Sequence, residues 1–284
     1  MKLSDWVGLR HGESITDYHA DTAISKSGLD QLNQAPFIYY SRTLDPLRPA
    51  RIERDWMLDG NLTHCAILEP EAFDARYIVG PNADKRTKAW KDFEESIDSE
   101  QIAIKPDQYE TAMRQADSVR KIPEIREALS IGSAEVSGRW QDGDTGMLCR
   151  CRPDWVNPLD SRTVRLIDVK TTLDASSEAF ARSIATYRYH VQDAFYSEGY
   201  GIASGMNVHS FVFVAVEKEW PYAAAAYRLK PDSREEGFFE VRRLLDVYAE
   251  CMRANRWPGY AETAQDIELP AYAFATREME ISYV

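Results

Sequence analysis

Residues 166–172 read Leu166-Ile167-Asp168-Val169-Lys170-Thr171-Thr172, and the fold turns on how this run is interpreted. It is short, bounded and rich in β-branched and apolar side chains, as an interior strand should be. Yet it holds an acid and a lysine two positions apart. Positions i and i+2 of a strand share a face, so Asp168 and Lys170 project together while Ile167, Val169 and Thr171 pack the other side. Burying either charge alone is costly. An internal ion pair would satisfy both, and so would a reactive centre.

The flanking sequence decides which residues accompany this pair. Before it, "AEVSGRW" (134–140) and "MLCRCRPDWV" (147–156) read as strands joined by the turn-forming "QDGDTG". With 163–172 they form an expected three-strand meander. A long helical stretch spans about 176–203, strands follow at 208–216 and 222–229, and a last helix covers about 232–255. Upstream, "ISKSGLDQLNQ" has the form of a helix capped by Ser25 or Ser27. Leu58, Leu62, Cys65 and Leu68 mark a helix over 55–68 that stops before Pro70, and Pro106 opens another that runs to about Lys121. This order predicts an α/β domain with a mixed central sheet flanked by helices. With no repeat, low-complexity tract or long linker, residues 1–284 read as one domain. Its parts are a helical portion (about 1–130), a sheet core (about 131–230) and a C-terminal helix with tail (about 231–284).

The chain of 284 residues carries 34 basic and 46 acidic side chains, net −12. That argues against a protein that coats nucleic acid nonspecifically, though not against a local basic groove or a site where a metal bridges acids to phosphate. No apolar run has the length of a membrane span or secretory leader, and four scattered cysteines do not make a disulfide framework. The expectation is a cytoplasmic protein with reduced thiols, Cys149 and Cys151 serving as strand packing.

If the strands over 147–156 and 163–172 pair, Asp154 and Asp168 converge at one end of the sheet. Two carboxylates there repel unless a cation lies between them, and hard oxygen donors favour Mg²⁺, or Mn²⁺ in its place. In the following helix Gln192 and Tyr196 are one turn apart, on a face beside Val191 and Phe195. An amide at the edge of a packing face needs a partner; Tyr196 alone would also suit a core. Gly60 and His64 are likewise one turn apart, and a glycine inside a helix hints at a close neighbour. Glu135 either faces the site or is a solvated strand residue. Arg139, Arg150 and Arg152 could grip phosphates or balance the acids, and Lys85, Arg86 and Lys88 around Trp90 could guide a strand or form a solvated helix face.

Gly60-x-x-x-His64, Pro153-Asp154, Asp168-x-Lys170 and Gln192-x-x-x-Tyr196 occur in this order. The chain thereby resembles the RecB-like branch of the PD-(D/E)xK nuclease superfamily, which has a restriction-endonuclease-like core. "YHADTAISKSGLDQL", "LTHCAILEPEAFDARYIV", "GMLCRCRPDWV" and "YRYHVQDAFYSEGY" narrow the likeness to nuclease domains of the RecE (exonuclease VIII) type, from about Tyr18 to Trp257. The resemblance implies that Asp154, Asp168, the Val169 carbonyl and His64 hold the metal. It implies further that Lys170 holds or helps deprotonate the attacking water, with Gln192 and Tyr196 positioning Lys170 or the DNA backbone. It implies an exodeoxyribonuclease acting on double-stranded DNA ends, 5′ to 3′, in a phage-type recombination setting. A single-strand annealing protein as partner and a ring-shaped homo-oligomer, such as a tetramer, belong to the same expectation. The readings it must displace are a DNA-binding scaffold that has lost its chemistry and an endonuclease or flap nuclease on the same fold.

Overall fold

The computed structural model describes residues 6–49 and 55–270. After a short strand, β1 (Gly8–Arg10), come α1 (Ile15–Ala20), α2 (Lys26–Gln34) and α3 (Pro36–Tyr39). Of the two serines expected at the start of α2, Ser25 is the cap; its hydroxyl accepts from the Gly28 amide at 3.3 Å. Next are α4 (Asp55–Leu68), α5 (Phe73–Arg76), β2 (Tyr77–Val79), α6 (Lys88–Ser96), β3 (Ile102–Ile104), α7 (Pro106–Arg120) and α8 (Pro123–Leu129). Pro106 opens α7 without wasting a donor, and Gln108 reaches back to accept from the Lys105 amide at 3.0 Å.

The expected meander over 134–172 is instead divided between two sheets. The strand predicted over 134–140 breaks into β4 (Ser133–Ala134) and β5 (Ser137–Gln141), and that over 147–156 into β6 (Leu148–Cys151) and β7 (Trp155–Pro158). The first break falls at Glu135, whose φ of 54° turns the chain out of the extended region. The second falls at Pro153, which has no amide to give a ladder. Strands β1, β5 and β6 form a three-stranded antiparallel sheet, whereas β4 and β7 join the larger one.

That larger sheet is mixed, with the order β10-β9-β8-β7-β4, where β8 is Thr163–Thr172, β9 is Asn207–Glu217 and β10 is Ala224–Tyr227. Only β8 and β9 are parallel. The crossover between them is two helices, not the single one expected: α9 (Ser177–Thr186) and α10 (Tyr189–Ser204) meet at Arg188, which adopts a left-handed conformation (φ 54°, ψ 44°). A long helix, α11 (Pro231–Ala254), packs along α10.

Strand alternation assigns the two faces of the sheet. Leu166, Phe211, Phe213 and Ala215 pack with Val191, Ala194 and Phe195 of α10 and with Val241, Leu244 and Leu245 of α11. Ile167, Val169, Val212, Val214 and Val216 pack with Leu62, Cys65 and Ala66 of α4 and with Ala112, Ala116 and Val119 of α7. Asp168 and Lys170 thus interrupt the α10-side layer where it would otherwise continue from Leu166. All four cysteines are buried and unpaired, as a packing role requires. Among the described residues no helix is long and apolar enough to cross a membrane.

Candidate active site

Antiparallel pairing places Trp155, the first residue of β7, opposite Ile167 of β8, so Asp154 just before it comes level with Asp168 in the middle of β8. The Val169 amide donates to Asp154 Oδ2 at 2.7 Å and fixes that carboxyl against the strand. His64 extends from α4 to bring Nδ1 within 3.5 Å of the same oxygen. Glu135 arrives through its unusual backbone: its amide donates to the Asp154 carbonyl at 3.0 Å, and its φ turns the side chain inward. Ligand atoms of His64, Glu135 and Asp154 lie within 4.8 Å of one another.

Asp168 has 1% of its surface exposed. Gln192 Nε2 donates to its Oδ2 at 2.5 Å, while Lys170 Nζ contacts Oδ1. Both carboxylate oxygens therefore have partners, which orients the group and answers the need for a partner at Gln192. Lys170 Nζ also lies 4.8 Å from the centroid of the Tyr189 ring, a residue the sequence reading passed over. Tyr196 packs its ring edge-on to Phe211 in the core. Burial, with the Tyr18 phenol and the Asp168 and Asp154 carboxyls nearby, holds its hydroxyl far above the ordinary range.

The electrostatics are those of a site short of positive charge. Burial and the neighbouring Asp168 push Asp154 up to about 8. Burial and Asp154 push Glu135 up to about 7, against the pull of Arg152. Burial opposes the Lys170 ammonium, but Asp168 and Asp154 outweigh it and keep the group charged. His64 is pushed down by burial and by Lys170, so its imidazole is neutral and free to ligate. A divalent cation fits this donor set: two carboxylates that repel, a neutral imidazole, and the Val169 backbone, which lies within hydrogen-bonding reach of His64.

For several residues the structure selects between two expected readings, and at Gly60 it corrects one. Arg139 is fully buried in an ion-pair hub, 2.9 Å from Glu13 and in contact with Asp21, and so cannot grip a phosphate. Arg152 donates to Glu135 at 2.6 Å and to the Glu13 carbonyl at 2.9 Å, which makes it the brace of Glu135. Arg150 donates through Nε to the Ala23 carbonyl; among the described residues its Nη1 has no hydrogen-bond partner, and the side chain lines a cavity of about 760 Å³ with Ser25, Ser27 and Arg42. Trp90 is fully buried beneath Lys85, and Arg86 pairs with Asp84, so this segment is a structural helix start with Lys88 exposed beside it. Gly60 has open space around it, not a close neighbour; it borders a cavity of about 290 Å³ with Thr171 and Lys218.

Comparison with known proteins bears on family and fold. The model of a PDDEXK-like domain of unknown function (DUF3799) matches residues 25–270. No curated protein matches the chain. Among solved structures, a protein from Eubacterium rectale named as a candidate exonuclease superposes with a TM-score of 0.60 over 98% of both chains at 12% identity, a likeness of fold. An alkaline exonuclease from Laribacter hongkongensis is 14% identical, with 66% of this chain and 97% of that one covered, at a TM-score of 0.26.

Proposed function

Because the chain belongs to the PDDEXK-like family of that model (DUF3799), we propose that it is a metal-dependent exodeoxyribonuclease that hydrolyses linear double-stranded DNA from its ends. The observation that carries this reading is the meeting of Asp154, Glu135 and His64 beside the Asp168–Lys170 pair. His64, Glu135 and Asp154 would hold the ion, with Asp168 and the Val169 carbonyl as further donors; Mg²⁺ suits the oxygens and Mn²⁺ also suits the imidazole. When bound there, a divalent ion supplies Lewis-acid polarisation of the scissile phosphate and a more acidic water.

The protein's own groups do the positioning. Lys170 presents hydrogen-bond donors to an attacking water and to a phosphate oxygen, and its contact with Asp168 keeps it charged. Gln192 fixes Asp168, the Val169 amide fixes Asp154, and Arg152 fixes Glu135. Strand β8 carries the central pair on a rigid mount. Action from 5′ to 3′, delivery of the remaining strand to an annealing protein, assembly as a ring and a role in recombination extend this proposal, and rest on the RecE-type motifs.

The test uses end-labelled linear duplex and covalently closed circular DNA, with Mg²⁺ or with chelator. Nucleotides should be released from the linear duplex only when Mg²⁺ is present, and the closed circle should survive. Lys170→Ala should lower the rate by at least about 100-fold, the scale on which removing a positioned acid–base group acts. Equal rates for the two proteins, or no hydrolysis by either, would overturn the assignment.

A further inference from the structure

Three aromatic rings form a ladder from the core to the surface beside Lys170. Phe213 is fully buried; Tyr189 stacks on it at 5.7 Å between centroids and 26° between planes. Tyr187 stacks on Tyr189 at 5.6 Å and 28° and is 59% exposed. The backbone under this last ring is pinned. Lys26 Nζ donates to the Tyr187 carbonyl at 2.7 Å, and the Tyr187 amide donates to the Ser183 carbonyl at 2.9 Å. The next residue, Arg188, holds its left-handed turn with ion pairs to Asp30 and Glu240.

Resting on the nuclease reading, we infer that Tyr187 is a stacking platform for the nucleobase next to the scissile phosphate. A ladder of near-parallel rings that ends in solvent lacks one member. A flat aromatic base is the ligand that continues the series, whatever its identity, because every base has a π-face. Charge specifies the rest of the ligand: the ammonium groups of Lys170 and Lys26 lie 4.8 and 5.8 Å from the centroid of the middle ring. A base on Tyr187 therefore carries its flanking phosphate past these cations and towards Asp154 and Asp168. Lys26, in this arrangement, is a positioning residue that ties the platform to α2, and its pairing with Asp30 at 2.7 Å keeps it there.

The test has a kinetic and a binding arm. Tyr187→Ala should raise KM for linear duplex on the order of tenfold, the range of one lost base–aromatic stack, while kcat changes little. Tyr187→Trp should restore KM, which separates a stacking role from a structural one. On a duplex whose terminal nucleotides are abasic, wild type and Tyr187→Ala should have the same KM. For binding, 2-aminopurine at the terminal position should be quenched by the Lys170→Ala protein and not by the Lys170→Ala/Tyr187→Ala protein. An unchanged KM in Tyr187→Ala, or equal quenching by both proteins, overturns the inference. Absence of hydrolysis by the wild type would instead count against the nuclease reading, and quenching alone would then decide the platform.

Discussion

Asp193 shows how closely candidate site and packed core are interleaved on one helix. Its neighbour Gln192 bonds the site acid Asp168, while Asp193 itself is fully buried, 3.0 Å from the Ser197 hydroxyl and 3.2 Å from Arg234. Burial outweighs both partners and pushes its carboxyl up to about 6 from an ordinary value of 3.8. A raised carboxyl favours the folded state below about pH 3.8, and that contribution is lost as pH rises through 6. Two units correspond to about 3 kcal/mol. Relative to wild type, Asp193→Asn should therefore gain stability on going from pH 4 to pH 7, up to about that amount, as read from urea midpoints. A stability difference that stays flat with pH would show that folding does not raise this carboxyl. At this scale the sequence was informative wherever chemistry followed from period. Strand period puts Asp168 and Lys170 on one face, where they meet; that Gln192 and His64 stand beside them followed from the family resemblance and not from spacing. Nothing in the spacing decides for Glu135, because only its positive φ, unusual for a residue with a side chain, turns it inward. Arg139 balances acids, one of its two expected roles, and its partners Glu13 and Asp21 lie more than a hundred positions away, where no local spacing points to them.

At the scale of elements, α10 must lie close to its neighbours for Gln192 to reach Asp168, and small residues let it do so. A Cβ at Gly199 would fall 2.2 Å from the Trp140 ring, and one at Gly237 of α11 would fall 2.2 Å from the His190 carbonyl oxygen. The second contact is with backbone, which cannot rotate aside. Gly237→Ala should therefore push α11 off α10 and destabilise the protein by about 1–3 kcal/mol, lowering the urea midpoint with an unchanged slope. A variant as stable as wild type would mean that the two helices slide freely. Element existence was well indicated by the sequence: α2, α4, α7, β8, β9 and α11 lie where capping, periodicity and proline placed them. Element continuity was not, because the chain changes sheets at Glu135 and Pro153 and changes helix at Arg188. Those breaks depend on which surface each half finds to pack against.

At the scale of the whole molecule, an acidic chain of net −12 draws some of its acids together inside the fold. Without a cation, Glu135 at about 7 and Asp154 at about 8 retain protons that carboxyls normally lose, so the folded state bears the cost of their proximity. A cation that binds them binds only the folded chain, because α4, the turn at Glu135 and the start of β7 bring its donors together only on folding. Occupancy at a hundred times Kd then stabilises by about 2.7 kcal/mol, which for a chain of this size raises Tm by roughly 5 °C. Thermal melts over a Mg²⁺ titration should show this rise, and chelator should reverse it. Asp154→Asn and Glu135→Gln keep the shapes of the side chains but remove the charges. Each should melt at or above the wild-type Tm in chelator, because one member of a repelling pair is gone, and each should respond little to Mg²⁺. If both variants gain as much from Mg²⁺ as wild type, the ion acts on the acidic surface at large, and the cluster around Asp154 is not its seat.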